Sequence, residues 1–431
     1  MLPANRTSGC LYDIPKFDIK VPDIKGFANE LKGFHSQFAE CFSREEPREN
    51  FYQYMAGQFS NKLERKSIEP IAISVEDGQV RSMQRFVSDV VWDEDRMLAK
   101  YRSMVNEDMG DPEGVLVFDE SGFPKKGKDS SGVGKQYCGN IGKVENCQVG
   151  VFCAYSSRRG YTLIGKRLFM PEAWFDDEHR KRYWRKCRIP PPLSFKSKPQ
   201  LAVDILREIR DEKQTRFRYV VGDCIYGQSP EFVEEIEKDP LCVYFVSVSS
   251  DTKCWTEQPV VVEHAYRYGG KQKMKTIVEK TEHKPVSLDT IAHGLNDYFW
   301  YRRTISEGTK GPIVYDFARL HIVLSKSGLP DKEVWLVIRR SIDKNPEYSY
   351  FISNAQADTS LETFVWLSGM RWPIEQCFEE SKTELGMDHY EVRKFPGWNH
   401  HILTCMLGHF FLWHMRIRLG KKSTCTYSVA A

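Results

Sequence analysis

The chain has 431 residues, 41% of them hydrophobic and 28% charged, with 29 glycines and 21 prolines, which is globular composition. It is long enough for two or three domains with real cores, and it excludes collagen-like and wholly disordered classes. Lys and Arg total 62 against 59 Asp and Glu, a net of +3, so any case for nucleic-acid binding must come from how charge is distributed. Residues 1–22 hold four prolines or glycines and no periodicity, and read as an arm. From Gly26, the residues Phe27, Leu31, Phe34, Phe38 and Phe42 recur every three or four positions and predict an amphipathic helix. A second helix is expected over Glu46 to Met55. Val80, Met83, Phe86, Val87, Val90 and Val91 mark another, and Asp93 caps one running through Met97, Leu98, Tyr101 and Val105. Residues 1–110 are therefore expected to form an all-α domain.

After Asp111-Pro112 the period changes. Val115-Leu116-Val117-Phe118 reads as a short buried strand closed by Asp119. Strands follow at 148–155 and 161–169, then a helix from Lys198 to Glu212, a buried strand Tyr219–Val221 and a helix near Glu231 to Glu237. Residues 111–240 read as an α/β core. From 241 to 354 the texture is almost purely β, with strands expected at Val243–Val248, Asp297–Thr304, Val314–Leu324, Glu333–Arg340 and Tyr348–Ile352. Helices return within 355–419, roughly at 361–384 and 399–418, and 420–431 reads as a tail. Because the α/β pattern resumes only after the β block, the economical reading is one α/β domain interrupted by an insertion.

Three acidic residues sit where a sheet-based enzyme holds its chemistry: Asp119 and Asp223 close strands, and Glu375 lies in a C-terminal helix. Carboxylates so placed bind hard divalent cations. Taken singly, an Asp after a strand is more often a turn former, and a helical Glu is usually solvated. On a continuous helix Arg371, Glu375 and Lys382 fall within about 40° of one another. Such a stripe reads either as surface ion pairing or as a metal ligand flanked by two phosphate-binding cations.

The stretch Asp119-Glu-Ser-Gly-Phe-Pro-Lys-Lys-Gly-Lys128, continuing through Gln136-Tyr-Cys-Gly139 and Asn146-Cys-Gln148, resembles DDE transposases of bacterial insertion sequences, in the branch that opens on D-x-[ST]-G-F-P-K-K-G. Gly222-Asp223-Cys-Ile-Tyr226-Gly227 is similar to the second aspartate motif of that family. Arg371-Trp-Pro-Ile-Glu375, with Lys382 through Arg393, is similar to its glutamate motif. The similarity runs from about Phe42 to His414. It implies a ribonuclease-H-like mixed sheet with flanking helices, interrupted by a mostly-β insertion and preceded by a helical DNA-binding domain. It also implies an active site of Asp119, Asp223 and Glu375 holding two Mg²⁺, with Mn²⁺ able to substitute. The signature Y-x2-R-x3-E-x6-K puts its R, E and K on Arg371, Glu375 and Lys382, and Ser368 stands where the family has tyrosine.

Charge distribution agrees with a nucleic-acid partner. Arg180 to Lys198 holds eight Lys or Arg and no acid, Arg267 to Lys275 holds four and none, and Lys125, Lys126, Lys128 and Lys135 follow the first aspartate. Each patch has the plainer reading that a chain this rich in basic residues clusters some of them. Trp255, Trp300 and Trp335 lie in the β block, and Trp300, flanked by Tyr298 and Tyr301, is the candidate for stacking on a displaced base; strand aromatics are more often core. His401, Cys405 and His409 fall at zinc-like spacing, but the apolar run Ile402, Leu403, Met406, Leu407, Phe410, Phe411 favours buried packing.

The function expected is binding of double-stranded DNA at terminal inverted repeats, followed by metal-dependent cleavage and strand transfer into target DNA. The family implies a homodimer on DNA. Arg371, Lys382, Lys125, Lys126, Lys128 and Trp300 are the expected DNA contacts. The rival readings are a cleavage-silent DNA-binding or regulatory protein of the same descent, and a carboxylate hydrolase working without metal. No apolar run reaches the roughly 18 residues of a membrane span, no signal-peptide core is present, and the twelve cysteines contain no C-x-x-C pair. These point to a bacterial cytoplasmic, nucleoid-associated protein with reduced thiols.

Overall fold

The computed structural model describes residues 21–269, 271–279, 283–308 and 311–420. Of the arm expected at 1–22 and the tail expected at 420–431, residues 1–20 and 421–431 lie outside them, while 21, 22 and 420 are helical. The chain divides into a larger unit, 21–217 with 372–420, and a smaller one, 218–371, among the described residues.

The larger unit opens with helices α1 (Val21–Ser36), α2 (Glu45–Gln58), α3 (Ile68–Ser74), α4 (Val80–Ser88) and α5 (Glu94–Met109). The phenylalanine spacing gives α1 one apolar face, on which Leu31 and Phe34 are buried. Asp93 caps α5 as expected, its Oδ1 accepting the Arg96 amide at 3.0 Å. Antiparallel strands β1 (Val115–Pro124), β2 (Gly134–Cys138), β3 (Lys143–Ser157) and β4 (Gly160–Phe169) follow, β3 pairing with each of the other three. Then comes α6 (Lys198–Glu212), whose Ser197 and Gln200 form a reciprocal capping box. Strand β1 corrects the sequence reading, because it does not end at Phe118. Its register with β3 runs from Val115↔Ser156 to Pro124↔Cys147, so Asp119 is mid-strand. Gly122 permits this, since a Cβ there would lie 2.6 Å from Cys138 Sγ.

In the smaller unit β5 (Tyr219–Gly222) runs parallel to β6 (Val243–Val248), joined through α7 (Pro230–Glu237). Taking the long strands β1, β3 and β4, then α6, β5, α7 and β6, the chain follows the ribonuclease-H-like order of elements, and the mixed α/β class after a helical N-terminus is as expected. The β block is richer than its sequence pattern. It holds β7 (Lys253–Trp255), a separate hairpin β8 (Val261–Tyr268) with β9 (Lys271–Val278), β10 (Val286–Ser287), β11 (Tyr301–Gly308), β12 (Gly311–Lys326), β13 (Leu329–Arg340) and β14 (Tyr348–Ser353). Apart from that hairpin they extend the β5–β6 sheet in the order β6-β14-β13-β12, with β7 and β11 both on β12 and β10 on β7. Two corrections apply: 288–294 is helical, and residues 297–299 form a 3₁₀ turn, so the strand expected from Asp297 starts at Tyr301. Helix α8 (Leu361–Gly369) closes the unit, laying Phe364 on Phe245 and Trp335.

The single helix expected over 361–384 is two, because α9 (Trp372–Leu385) begins after a break at Met370-Arg371. Pro373 accounts for it: proline fits the first turn of α9 but not a helix interior, where its ring would clash with the preceding turn and a backbone N–H would be missing. Back in the larger unit, α9 precedes the long α10 (Phe395–Gly420). Phe411 meets Phe27 at 5.2 Å, Tyr54 Oη and His401 Nδ1 lie 2.7 Å apart, and His400 lies 4.2 Å from the Trp92 ring. Thus the N-terminal helices and α10 share one core. The zinc-like triplet belongs to that core, as favoured: His401 and Cys405 are fully buried, and burial holds the His401 imidazole neutral, down to about 3. Among the described residues the ten cysteines are free thiols, and no described helix is long and apolar enough to cross a membrane.

Arg102, fully buried on α5, ties three elements together. Its Nε donates to the Ile164 carbonyl of β4 at 2.9 Å, and one Nη donates to Glu208 and Glu212 of α6 at 2.8 and 2.6 Å. Removing one partner of a buried pair strands the other. Arg102→Ala is expected to lower unfolding free energy by about 3 kcal/mol, the lower end for such a break because both glutamates keep some solvent contact, measured by urea denaturation.

Candidate active site

In the larger unit, β1 carries the first acidic group. Val115–Phe118 and Ser121–Phe123 are buried, while Asp119 and Glu120 between them are half-buried, the one place where this strand relaxes its burial before its last residue. Asp119 Oδ1 folds back to accept the Glu120 amide at 2.7 Å. Glu120 accepts from Lys198 Nζ, at the first turn of α6, at 2.7 Å. Each of the two carboxylates has an oxygen within 4.8 Å of the other. A pair of carboxylate oxygens is the donor set of a hard divalent cation, and no sulfur or imidazole competes within the pair. Sequence reading misses Glu120. Its signal is its adjacency to Asp119, easily discounted because neighbours on a strand normally face opposite ways.

Ser121, 2% exposed, receives the end of the third motif: Lys382 Nζ of α9 donates to its Oγ at 2.8 Å. The Lys382 ammonium also lies 5.5 Å over the Phe123 ring, and burial holds it below the ordinary lysine range. Glu375 sits two turns earlier on the same helix and is exposed. Arg371 lies in the break before α9 and is exposed, and on α9 itself Glu375 and Lys382 share a face.

In the smaller unit, Asp223 follows β5 as expected and caps the short helix 224–227, its Oδ1 accepting the Ile225 amide at 3.0 Å. Asp223 is half-buried. Gly227 ends that helix so close to β6 that a Cβ would sit 2.0 Å from the Ser247 carbonyl. Trp300 is half-buried under the Arg340 guanidinium, 4.1 Å from its ring centre, whereas Trp255 and Trp335 are core. Tyr298 and Tyr301 are exposed.

The basic residues divide into those with partners and those facing water. Lys125 turns inward, donating to the Tyr390 carbonyl at 2.9 Å and lying 3.4 Å over its ring, while Lys126 and Lys128 are exposed. In the Arg180–Lys198 patch, Lys186, Arg188, Lys196 and Lys198 pair with Asp129, Asp89, Asp204 and Glu120. Arg180, Lys181, Arg182 and Arg185 lie outside those pairs, and Lys181, Arg182 and Arg185 are exposed. The β8–β9 hairpin exposes both faces, Arg267, Lys271 and Lys275 included.

The model of the DDE superfamily endonuclease family matches residues 37–312. A probable transposase for insertion sequence element IS701 from Microchaete diplosiphon is 21% identical over 395 residues, covering 90% of this chain and 86% of that one. Among solved structures, the NurA nuclease from Sulfolobus solfataricus aligns with a TM-score of 0.28 and 11% identity, over 66% of this chain and 85% of that one.

Burial pushes the Lys125 ammonium down to about 7, from 10.5. Between those values the unfolded chain binds a proton that the folded chain does not, so this group's contribution to stability rises with pH across that window. Below it, the buried charge is carried at full cost. Lys125→Met is expected to flatten that rise, read as thermal midpoints of the two proteins from neutral to alkaline pH.

Proposed function

Because the chain belongs to the DDE superfamily of endonucleases, we propose that it is the DNA transposase of a bacterial insertion sequence. In this reading it binds double-stranded DNA at terminal inverted repeats, cleaves at the element's ends and joins the freed 3′-hydroxyl to target DNA, with one protomer of a homodimer serving each end. The observation that carries the reading is the Lys382–Ser121 contact, which joins the glutamate motif to the D-x-S-G motif inside one unit. The likeness to a probable IS701 transposase along nearly the whole chain supports it.

The residues proposed to hold two divalent ions are Asp119, Asp223 and Glu375, with Glu120 as a further oxygen donor beside Asp119. When bound, such ions supply charge neutralisation and nucleophile activation for in-line displacement at phosphorus. The protein's own part is positioning, which carries most of the acceleration in phosphoryl transfer. Strand β1 fixes the carboxylates, Lys198 orients Glu120, and Lys382, poorly hydrated against Phe123, presents a cation where charge on a phosphoryl group would develop. Exposed Lys126 and Lys128 and the exposed part of the 180–185 segment extend the grip along the backbone.

The reader of the terminal repeats is assigned to α4. Helices α2, α3 and α4 cluster, and α3 leads into α4 through a turn, 75–79, with Asp77 at a φ of 55° before Gly78. Met83, Phe86 and Val87 bury one face of α4, while Arg81, Gln84 and Arg85 face solvent, side chains suited to guanine and adenine edges. Two clefts of about 750 and 610 Å³, both lined by Arg85, bring Arg44, Arg393 and, paired with Asp89, Arg188 and Lys394 beside it.

Glu375→Gln and Asp119→Asn are each expected to abolish metal-dependent release of a 3′ end from a duplex carrying the element's terminal repeat, with duplex binding retained in a gel-shift assay. Cleavage that survives either change, or that persists in chelator, overturns the reading. Arg85→Ala is expected to cost about 1–3 kcal/mol of terminal-repeat affinity and to relax sequence preference, read by competition between repeat and unrelated duplexes.

A further inference from the structure

Most arginines on the sheet of the smaller unit pair with a carboxylate; among the described residues Arg319, whose Nη1 donates to the Thr359 carbonyl, and Arg339 do not. Arg302 and Arg340 both bond Asp316, and Arg303 bonds Glu362. Arg339, one residue from Arg340 on β13, has no carboxylate partner among the described residues. Its Nη2 donates to Ser349 Oγ, its cross-strand neighbour, at 3.1 Å. Its guanidinium stands 4.7 Å from the Tyr315 ring centre and 5.5 Å from that of Phe351. Its Nε is buried with no acceptor. Burial lowers its pKa, and the charge of Arg371 lowers it further. A half-buried guanidinium with a buried, unmet Nε donor beside a second arginine is a costly arrangement. An unmet buried donor of this kind calls for an acceptor that the chain itself does not supply.

The space in front of Arg339 has the shape of that ligand. A cleft of about 220 Å³ lies between the sheet and the C-terminal end of α8, with Arg339, Arg371, Ser247, Ser349 and Ser368 among its lining residues and no Asp or Glu. Ser349, which accepts from Arg339, keeps its own hydroxyl hydrogen to donate. Ser368 spends its hydroxyl on the Val365 carbonyl at 2.7 Å, so this wall is small where the resembling family carries a tyrosine. Gly222 also lines the cleft, which places it one residue from Asp223. The Arg339 guanidinium and the Ser349 hydroxyl, in a cleft with no Asp or Glu among its lining residues, make a receptor for a tetrahedral oxyanion.

Resting on the transposase reading, we propose that this cleft grips a phosphodiester of the bound DNA strand next to Asp223, with Arg339 the residue that holds it. Phosphate oxygens would give the Arg339 Nε its missing acceptor and separate the two like charges. Arg339 is here a positioning residue, since it fixes where the strand lies and takes no part in bond making.

The test uses the full-length protein, a fluorescein-labelled duplex of random sequence and inorganic phosphate. Anisotropy titrations over a salt series give the slope of log affinity against log salt, whose magnitude falls by about 0.9 for every phosphate the protein no longer neutralises. Arg339→Gln is expected to lower the slope by about that amount, and Arg339→Lys, which keeps a cation, to lower it less. Arg339→Met, freed of the buried charge, is expected to melt higher than the parent without DNA, which also shows that the site folds without arginine. An unchanged slope in Arg339→Gln overturns the proposal. If inorganic phosphate raises the parent's melting temperature but not that of Arg339→Gln, while the slope is unchanged, the cleft holds a free anion and the DNA assignment falls. If the parent binds no duplex at all, the transposase reading fails instead, and the phosphate melts alone decide whether the cleft is an anion site.

Discussion

Two carboxylates on one strand can serve a substrate only while that strand keeps its register, because a slip of one residue turns every side chain to the opposite face. In this protein the register is over-determined. Ten consecutive residues of β1 pair with β3, the run Val115–Phe118 and Phe123 is buried on both sides of the acidic pair, and Gly122 lets Cys138 pack against the backbone. Lys382 then pins α9 to the same strand through Ser121. Burying that ammonium costs desolvation, and the charge of Asp388, the Ser121 hydroxyl and two aromatic rings offset part of it.

The cations sort by what surrounds them. Arg102 and Lys198 have carboxylates and serve as struts. Lys125 and Lys382 bond only neutral oxygens and ring faces, and their proton affinity falls accordingly. Arg339 has a serine, two rings and an empty donor. Exposed residues such as Lys181, Arg182 and Lys128 face water and are the ones that exchange counterions with a polyanion. A net charge of +3 hides this sorting entirely, because it sums struts and free cations alike.

Much of the fold is legible in the sequence because its signals are local. The phenylalanine spacing of α1, the capping box of α6 and the apolar run before Asp223 are each settled within a few residues. What escapes is set by distant partners. Strand β1 passes through a Gly and a Pro that read as a turn, because ladder bonds to β3 outweigh the local preference. The break at Arg371 is legible in Pro373, yet the stripe of Arg371, Glu375 and Lys382 assumes a helix that runs straight across it. The pairing of Glu120 with Lys198 joins residues 78 positions apart, and the isolation of Arg339 from the acids of its sheet is an absence; periodicity registers neither.

Helix α10 lies at the end of the described chain yet packs against α1, α2 and β4 near its start, through Phe411, His401 and Trp413. During synthesis, then, the apolar faces of α1 and α2 wait for α10, made last among the described elements, to emerge before they are covered. A product truncated before α10 therefore exposes phenylalanine-rich surface and invites chaperones and proteases, and only a ribosome that has passed α10 releases a molecule able to close its core.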